Sequence, residues 1–399
     1  MLDKLLKISD RLIRTTSLSN KRYLYDAVDW KQRLICIIGA RGTGKTTMLL
    51  QRLKEAGKSG RVKVVYLSLD NIFFYSHTVF GAVGDLYDQG IRLIVLDEVH
   101  KYGDWSLEIK NLYDSYPDLK LIITGSSALK LVTGSGDLSR RLSKYELHGL
   151  SFREFLEFDG SGKLKTYALD KILTDYDKLS TGLADKLPIN KLFKAYLKYG
   201  YYPIYLESRK EFESKLNSIL TEMIEVDISS IFNVDYTTVR QVKRLLSIIS
   251  ASVPYEPNIS TLSSMLGTNR NQVLMILDYL SKCNIIILLK SKRKVDSIMS
   301  KPDKIYLNDT NYAHAIVGGN TNIGSLRETF VLNQLSKDHV VTTPKFGDFM
   351  VDNKIVLEVG GPSKTFDQIS GVPNSYLVLD SLISKGENRI PLWLFGFLY

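Results

Sequence analysis

The chain has 399 residues, enough for two or three domains with buried cores. Its 44% hydrophobic and 24% charged residues, with only 10 prolines, exclude a disordered, collagen-like or disulfide-scaffold chain. Fifty-three basic residues against 43 acidic ones leave a net charge of +10, which favours a polyanionic partner without naming one.

The opening stretch, MLDKLLKISDRLIR, carries charge in every turn and lacks the apolar core and cleavage site of a secretory signal. No apolar run nears the roughly 18 residues that span a bilayer, so the chain reads as cytoplasmic, with no membrane partner. Cys36 and Cys283 each lie among apolar residues and read as buried thiols without metal or disulfide roles.

The first strong signal is the run Gly39, Ala40, Arg41, Gly42, Thr43, Gly44, Lys45 and Thr46, followed by Thr47, which fits G-x-x-x-x-G-K-[ST]. RLICIIG before it is a continuous apolar run suited to a buried parallel strand, and TTMLLQRLKEAG after it has helical spacing. Glycines let successive backbone N–H groups face one centre, where a helix N-terminus adds positive potential for phosphate. Lys45 is then placed to reach the β- and γ-phosphates of ATP, with the Thr46 hydroxyl as a Mg²⁺ ligand.

VKVVYLSL (62–69) is the next strand candidate, and IRLIVL (91–96) runs directly into Asp97 and Glu98. A strand delivering two carboxylates beside a phosphate loop suits metal orientation by Asp97 and polarisation of the attacking water by Glu98. DLKLIITG (118–125) ends in small polar residues, Thr124 to Ser127, of which Ser126 can report the γ-phosphate; KYELHG (144–149) alternates as a fifth strand. The five strand signals separated by helical segments predict a parallel, three-layer α/β domain.

GARGTGKTT, LIVLDEVHKYGDW, LIITGSSALK and LSRRLSKYELHGLSFREFL resemble the prokaryotic AAA-type P-loop ATPases whose nucleotide domain precedes an uncharacterised C-terminal region. The resemblance covers about Arg33 to Tyr399. It implies metal and water roles for Asp97 and Glu98, a sensor role for Ser126, and an arginine finger at Arg140 or Arg141. A finger acting on a neighbour's nucleotide implies a homo-oligomer.

After Phe155 the spacing turns helical and tyrosine-rich, predicting a helical lid packed on the nucleotide domain, with the GYYP turn between two helices. In 236–300, VRQVKRLLSIISASV, STLSSMLG and QVLMILDYLSKCN read as helices, with Ser260 as cap of the second and TNRNQ as a turn. NIIILL, the basic tip SKRK and DKIYLND then read as a β-hairpin, completing the order of a winged helix-turn-helix. This segment holds nine basic and three acidic residues, most of the chain's surplus. Asn269, Arg270, Asn271 and Gln272 are candidates for base or phosphate contact, and Lys290, Lys292, Arg293 and Lys294 for the DNA backbone or minor groove. Protein docking is the other use of such a module.

From Asn322 a helix is followed by short strands. Glu328, Asp348 and Glu358 have the layout of a restriction-endonuclease-like core that binds metal through an acid and an acid-x-lysine pair. Here the expected lysine is Gly360, so the orienting cation is missing unless Lys364 replaces it from the loop. With seven basic and eight acidic residues, 322–399 suits a degenerate, structural nuclease-like domain, and IPLWLFGFLY reads as a buried terminal strand. Histidines 77, 100, 148, 314 and 339 lack metal-ligand spacing, and His100 reads as a packing or hydrogen-bonding residue.

The expected fold class is α/β: a P-loop NTPase three-layer parallel sheet over 1–150, a helical lid over 151–235, a winged helix-turn-helix over 236–310 and a small α/β nuclease-like domain over 311–399. The expected function is Mg²⁺-dependent ATP hydrolysis coupled to double-stranded DNA or a protein partner. A slow ATP-dependent switch and an ATP-gated nuclease are the rival readings.

Overall fold

The computed structural model describes residues 2–58, 60, 62–126, 138, 140–294, 300–318, 321–384 and 386–399, with the Lys294 side chain outside this set. The chain divides into two units, Met1–His148 and Gly149–Tyr399.

In the first unit, α1 (Leu2–Thr15) and the short α2 (Leu24–Ala27) precede β1 (Leu34–Ile38) and α3 (Lys45–Gly57). There follow β2 (Val64–Ser68), α4 (Val79–Asp88), β3 (Leu93–Asp97), α5 (Trp105–Ser115), β4 (Lys120–Gly125) and β5 (Ser143–Glu146). The five strands form one parallel sheet in the order β2-β3-β4-β1-β5. The continuous apolar runs are explained by burial on both faces. Leu34, Cys36 and Ile38 pack against Val83, Leu86 and Ile109 on one side; Ile35 and Ile37 meet Met48, Leu49 and Leu53 on the other. Truncating one such fully buried Leu or Ile to Ala costs about 2–5 kcal/mol.

The opening stretch is a helix, for which charge in every turn gave no expectation. Ile13 is buried, Leu2, Leu5 and Leu6 pack against the core, and the Ser9 hydroxyl accepts from Tyr66 N at 2.8 Å. Both thiols are buried and free, and burial pushes the Cys36 thiol up to about 12.

The second unit begins with α6 (Phe152–Leu156), α7 (Leu169–Ala184), α8 (Ile189–Ala195), α9 (Phe212–Glu222) and α10 (Ser229–Phe232). A π-type turn at Tyr196–Gly200 and a 3-10 turn at Pro203–Leu206 occupy the GYYP region. Next come α11 (Tyr236–Ser250), α12 (Ile259–Leu266), α13 (Arg270–Lys282) and the antiparallel hairpin of β6 (Ile286–Leu289) and β7 (Lys304–Leu307). Tyr255, between α11 and α12, bridges to Ile305 of β7. The cap of α12 is Asn258, not Ser260: its side chain accepts from Ser260 N and Thr261 N, drawing the helix start two residues earlier.

Finally α14 (Thr310–Val317) and α15 (Ile323–Leu335) precede β8 (Val341–Thr342), β9 (Phe349–Val351), β10 (Ile355–Gly360), β11 (Ser375–Leu379) and β12 (Arg389–Pro391). Their sheet runs β12-β11-β10-β9-β8, antiparallel from β8 to β10 and parallel from β10 to β12. The terminal run is buried as expected, but it is a strand only to Pro391. A 3-10 segment, Leu392–Phe397, follows, since proline ends the ladder and the aromatic side chains turn inward on all sides. Among the described residues, no helix is long and apolar enough to cross a membrane.

Candidate nucleotide site

The loop leaving β1 is shaped by contacts that only glycine permits. A Cβ on Gly39 would lie 2.3 Å from the Leu147 carbonyl oxygen, while Gly42 and Gly44 have φ of 83° and 91°, in the left-handed region. The buried Arg22 donates to the carbonyls of Thr43 and, at 2.7 Å, His148, bracing the loop from outside. Sequence reasoning missed Arg22, because nothing marks a lone arginine 21 residues upstream as a loop brace. Thr43 Oγ1 donates to the Ala40 carbonyl at 2.8 Å. Lys45, 5% exposed, donates from Nζ to the carbonyls of Gly39 and Ala40 at 2.9 and 3.0 Å. Arg41 and Thr47 stand at the partly open rim.

The carboxyl ends of β1 and β3 flank β4, so loop and acids meet at one sheet edge where strand order reverses, the usual ligand crevice of an open α/β sheet. Thr46 Oγ1 donates to Asp97 Oδ2 at 2.6 Å, and the Tyr66 hydroxyl donates to the same oxygen at 2.7 Å. Thr124 Oγ1 donates to Asp97 Oδ1 and accepts from Glu98 N at 3.0 Å. The fourth-strand residue touching the acids is thus Thr124. Ser126 Oγ, also buried, has no hydrogen-bond partner among the described residues, and Ser127 lies outside them. Burial and the Asp97 charge raise the Tyr66 phenol, which keeps it a donor.

Glu98 adopts φ 56° and ψ 42°, a left-handed conformation unusual for a non-glycine residue. Its carboxylate lies 3.8 Å from Arg41 Nη2 and 3.4 Å from His100 Nε2. His100 therefore touches the second acid of the pair. Arg140 and Arg141 precede β5, whose Ser143 pairs with Ile35 near the start of β1, so both lie at the sheet edge opposite the loop. Arg141 binds Asp114 at 3.0 Å, and Arg140 is exposed.

In the second unit the polar start of α13 is largely engaged. Asn269 caps the helix by accepting from Gln272 N at 2.9 Å, Arg270 donates to Ser260 Oγ at 2.6 Å, and the Gln272 amide donates to Thr238 Oγ1 at 3.3 Å. Asn271, Lys292 and Arg293 are exposed.

The later carboxylates also converge. Burial and the neighbouring Asp348 charge push Glu328 up to about 7. Glu358 is 1% exposed and is met by Lys364 Nζ at 2.5 Å. A Cβ on Gly360 would lie 2.7 Å from Lys364 Cβ, so the glycine standing where the acid-x-lysine pair expects a lysine is also what admits Lys364 over the acid. Among the described residues, no group of three or more His, Cys, Asp and Glu side chains is placed to hold a metal ion.

Residues 31–156 match the family described as AAA domain, and residues 190–323 match a domain of unknown function, DUF8612. The first match and the parallel five-stranded sheet support a P-loop AAA-type ATPase core. An uncharacterised protein of Methanocaldococcus jannaschii is 28% identical over 292 residues, 69% of this chain and 60% of its own, so the chain spans only that fraction of its curated relative. Among solved structures, the AMPPCP-bound DnaA of Aquifex aeolicus aligns over 70% of this chain and 86% of its own at 15% identity, with a TM-score of 0.26. The Hsp104–ADP complex of S. cerevisiae aligns over 69% and 39% at 18% identity, with a TM-score of 0.30.

Proposed function

We propose that the first unit binds ATP with Mg²⁺ and hydrolyses it to ADP and phosphate. The observation that carries this reading is the contact of Thr46 with Asp97, which joins the phosphate-loop helix to the strand acid with Glu98 one residue on. A hydroxyl and a carboxylate are hard oxygen donors that suit Mg²⁺, an ion that keeps waters and substrate phosphates in its shell and needs no all-protein cage. When bound, the ion neutralises charge on the phosphate oxygens.

The chain's own residues do the rest. The amides of Gly42 to Lys45 surround the phosphates, and Lys45 exchanges its two carbonyl partners for phosphate oxygens. Glu98 orients and polarises the attacking water, with Arg41 and His100 setting the direction of its carboxylate. Thr124 ties the positions of both acids, Ser126 offers a donor to the γ-phosphate, and Arg140 or Arg141 acts in trans within an oligomer. Lys45→Ala is expected to abolish ATP binding; unaltered binding in a filter assay refutes the site.

A second reading concerns residues 236–310. The order α11, bridge, α12, α13 and hairpin, together with the basic excess, supports a winged helix-turn-helix through which nucleotide state is coupled to double-stranded DNA rather than to a protein. Turnover stimulated by duplex DNA favours a motor, and tight ATP with negligible turnover favours a slow switch. We read 311–399 as a structural nuclease-like domain because Lys364 occupies its central acid. Plasmid nicking with Mg²⁺ or Mn²⁺ that is lost in Glu358→Ala overturns that reading in favour of an ATP-gated nuclease.

A further inference from the structure

The basic charge of α11 gathers where the residues expected to read DNA do not. Arg240 and Arg244 stand four residues apart, hence on one face and about 6 Å apart along the helix axis. Like charges at this spacing repel, so the pair works against the helix itself. Both are exposed, and neither has a hydrogen bond or ion pair among the described residues. Lys243 beside them is held by Glu225, and Asp235 is committed to capping α11 through Thr238 N at 2.8 Å.

The two arginines open onto a cleft of about 590 Å³ whose other wall is Leu266 and Gly267, at the end of α12. Gln241 donates to the Leu266 carbonyl at 3.4 Å, and the contact of Gln272 with Thr238 brings the first turn of α13 against α11. The lining of the cleft ends at Gly267, two residues before Asn269, the cap of α13. It is open, mixed in polarity and free of acidic side chains in its lining, unlike the enclosed pockets that take small molecules. The span of about 6 Å is of the order of the separation between two successive phosphates of one DNA strand, whose path winds around the axis and so exceeds its axial rise. Arginine forks grip phosphate oxygens bidentately.

We propose that this cleft is a phosphate-backbone contact for duplex DNA, in which Arg240 and Arg244 each hold one phosphate of the same strand beside the first turn of α13. The proposal rests on the winged-helix reading of 236–310, and it replaces α13 and the wing with α11 as the main source of affinity.

The test measures fluorescence anisotropy of the full chain with a labelled 30-base-pair duplex across a salt series. The wild type is expected to bind with a steep salt dependence. The double variant Arg240→Glu, Arg244→Glu should lose at least about tenfold affinity in 0.1 M salt, and the log–log salt slope should fall by about 2. The neutral pair R240Q and R244Q should lie between, and retained helical circular dichroism shows that the variants fold, as expected for exposed side chains. If affinity instead falls only in Asn271→Ala or in Lys292→Glu, Arg293→Glu, DNA binding stands and the cleft is refuted. If the wild type binds no duplex at low salt, the winged-helix reading fails and takes the cleft with it. Binding to anionic lipid vesicles without duplex binding overturns the proposal in the same way.

Discussion

Asp97 and Glu358 are both buried carboxylates near the end of a central strand, and the chain surrounds them in opposite ways. Asp97 is met by three neutral hydroxyls, from Thr46, Tyr66 and Thr124, which orient it without cancelling its charge. Glu358 is met by the ammonium of Lys364, which cancels it. Hydroxyl partners can stay in place while an acid interacts with an incoming cation, whereas an acid with its own lysine has that interaction already. Asp97 keeps both oxygens on neutral donors, whereas Glu358 is paired with a cation whose removal would leave it buried and uncompensated.

The comparison breaks most visibly at Glu98. Glu98→Gln should lower kcat by about 10²–10⁴-fold while ATP binding is retained, and normal single-turnover hydrolysis would remove the first site from the comparison. Next in size is Lys364→Met, which leaves the Glu358 charge buried without its cation and should cost about 3 kcal/mol in denaturant unfolding at neutral pH. Burial already holds Glu358 above the usual carboxylate range, so that loss should shrink as pH falls, and Glu358→Gln in the same chain should restore stability.

Asp309 tests whether burial without a cation has the expected sign. Burial pushes it up to about 6 although it caps α14 and accepts from the Tyr202 hydroxyl at 2.9 Å. An acid with a raised folded pKa contributes most below the unfolded value of 3.8, and this contribution is lost as pH rises through about 6. Asp309→Asn, which keeps the capping oxygen, should flatten that part of the stability–pH curve, a change of about 3 kcal/mol. Smallest is Tyr66→Phe: removal of one neutral donor to Asp97 should cost about 1 kcal/mol, a few-fold in turnover. A loss as large as that of Lys364→Met would mean that Tyr66 does more than orient the acid.

The loop and the acid pair were legible in the sequence because their chemistry depends on fixed local spacing. The runs at 34–38, 93–97 and 120–125 were legible because strands buried on both faces admit almost nothing polar. What escaped was long-range. Thr124 and Ser126 are both small and polar at one strand end, and only the register with β3 shows that Thr124 reaches Asp97. The return of Lys364 over Glu358 depends on the space left by Gly360, which a motif scan records only as a missing lysine. The start of α13 looked free to read DNA because sequence alone does not reveal that Arg270 and Gln272 already have partners.

Arg22 carries a mechanical implication. One guanidinium grips Thr43, in the middle of the phosphate loop, and His148, the last residue of the first unit. The loop and the chain's exit thereby share one anchor: the guanidinium that holds Thr43 also holds His148. Arg22→Ala would remove that shared anchor and loosen the loop at Thr43 and the strand exit at His148 together.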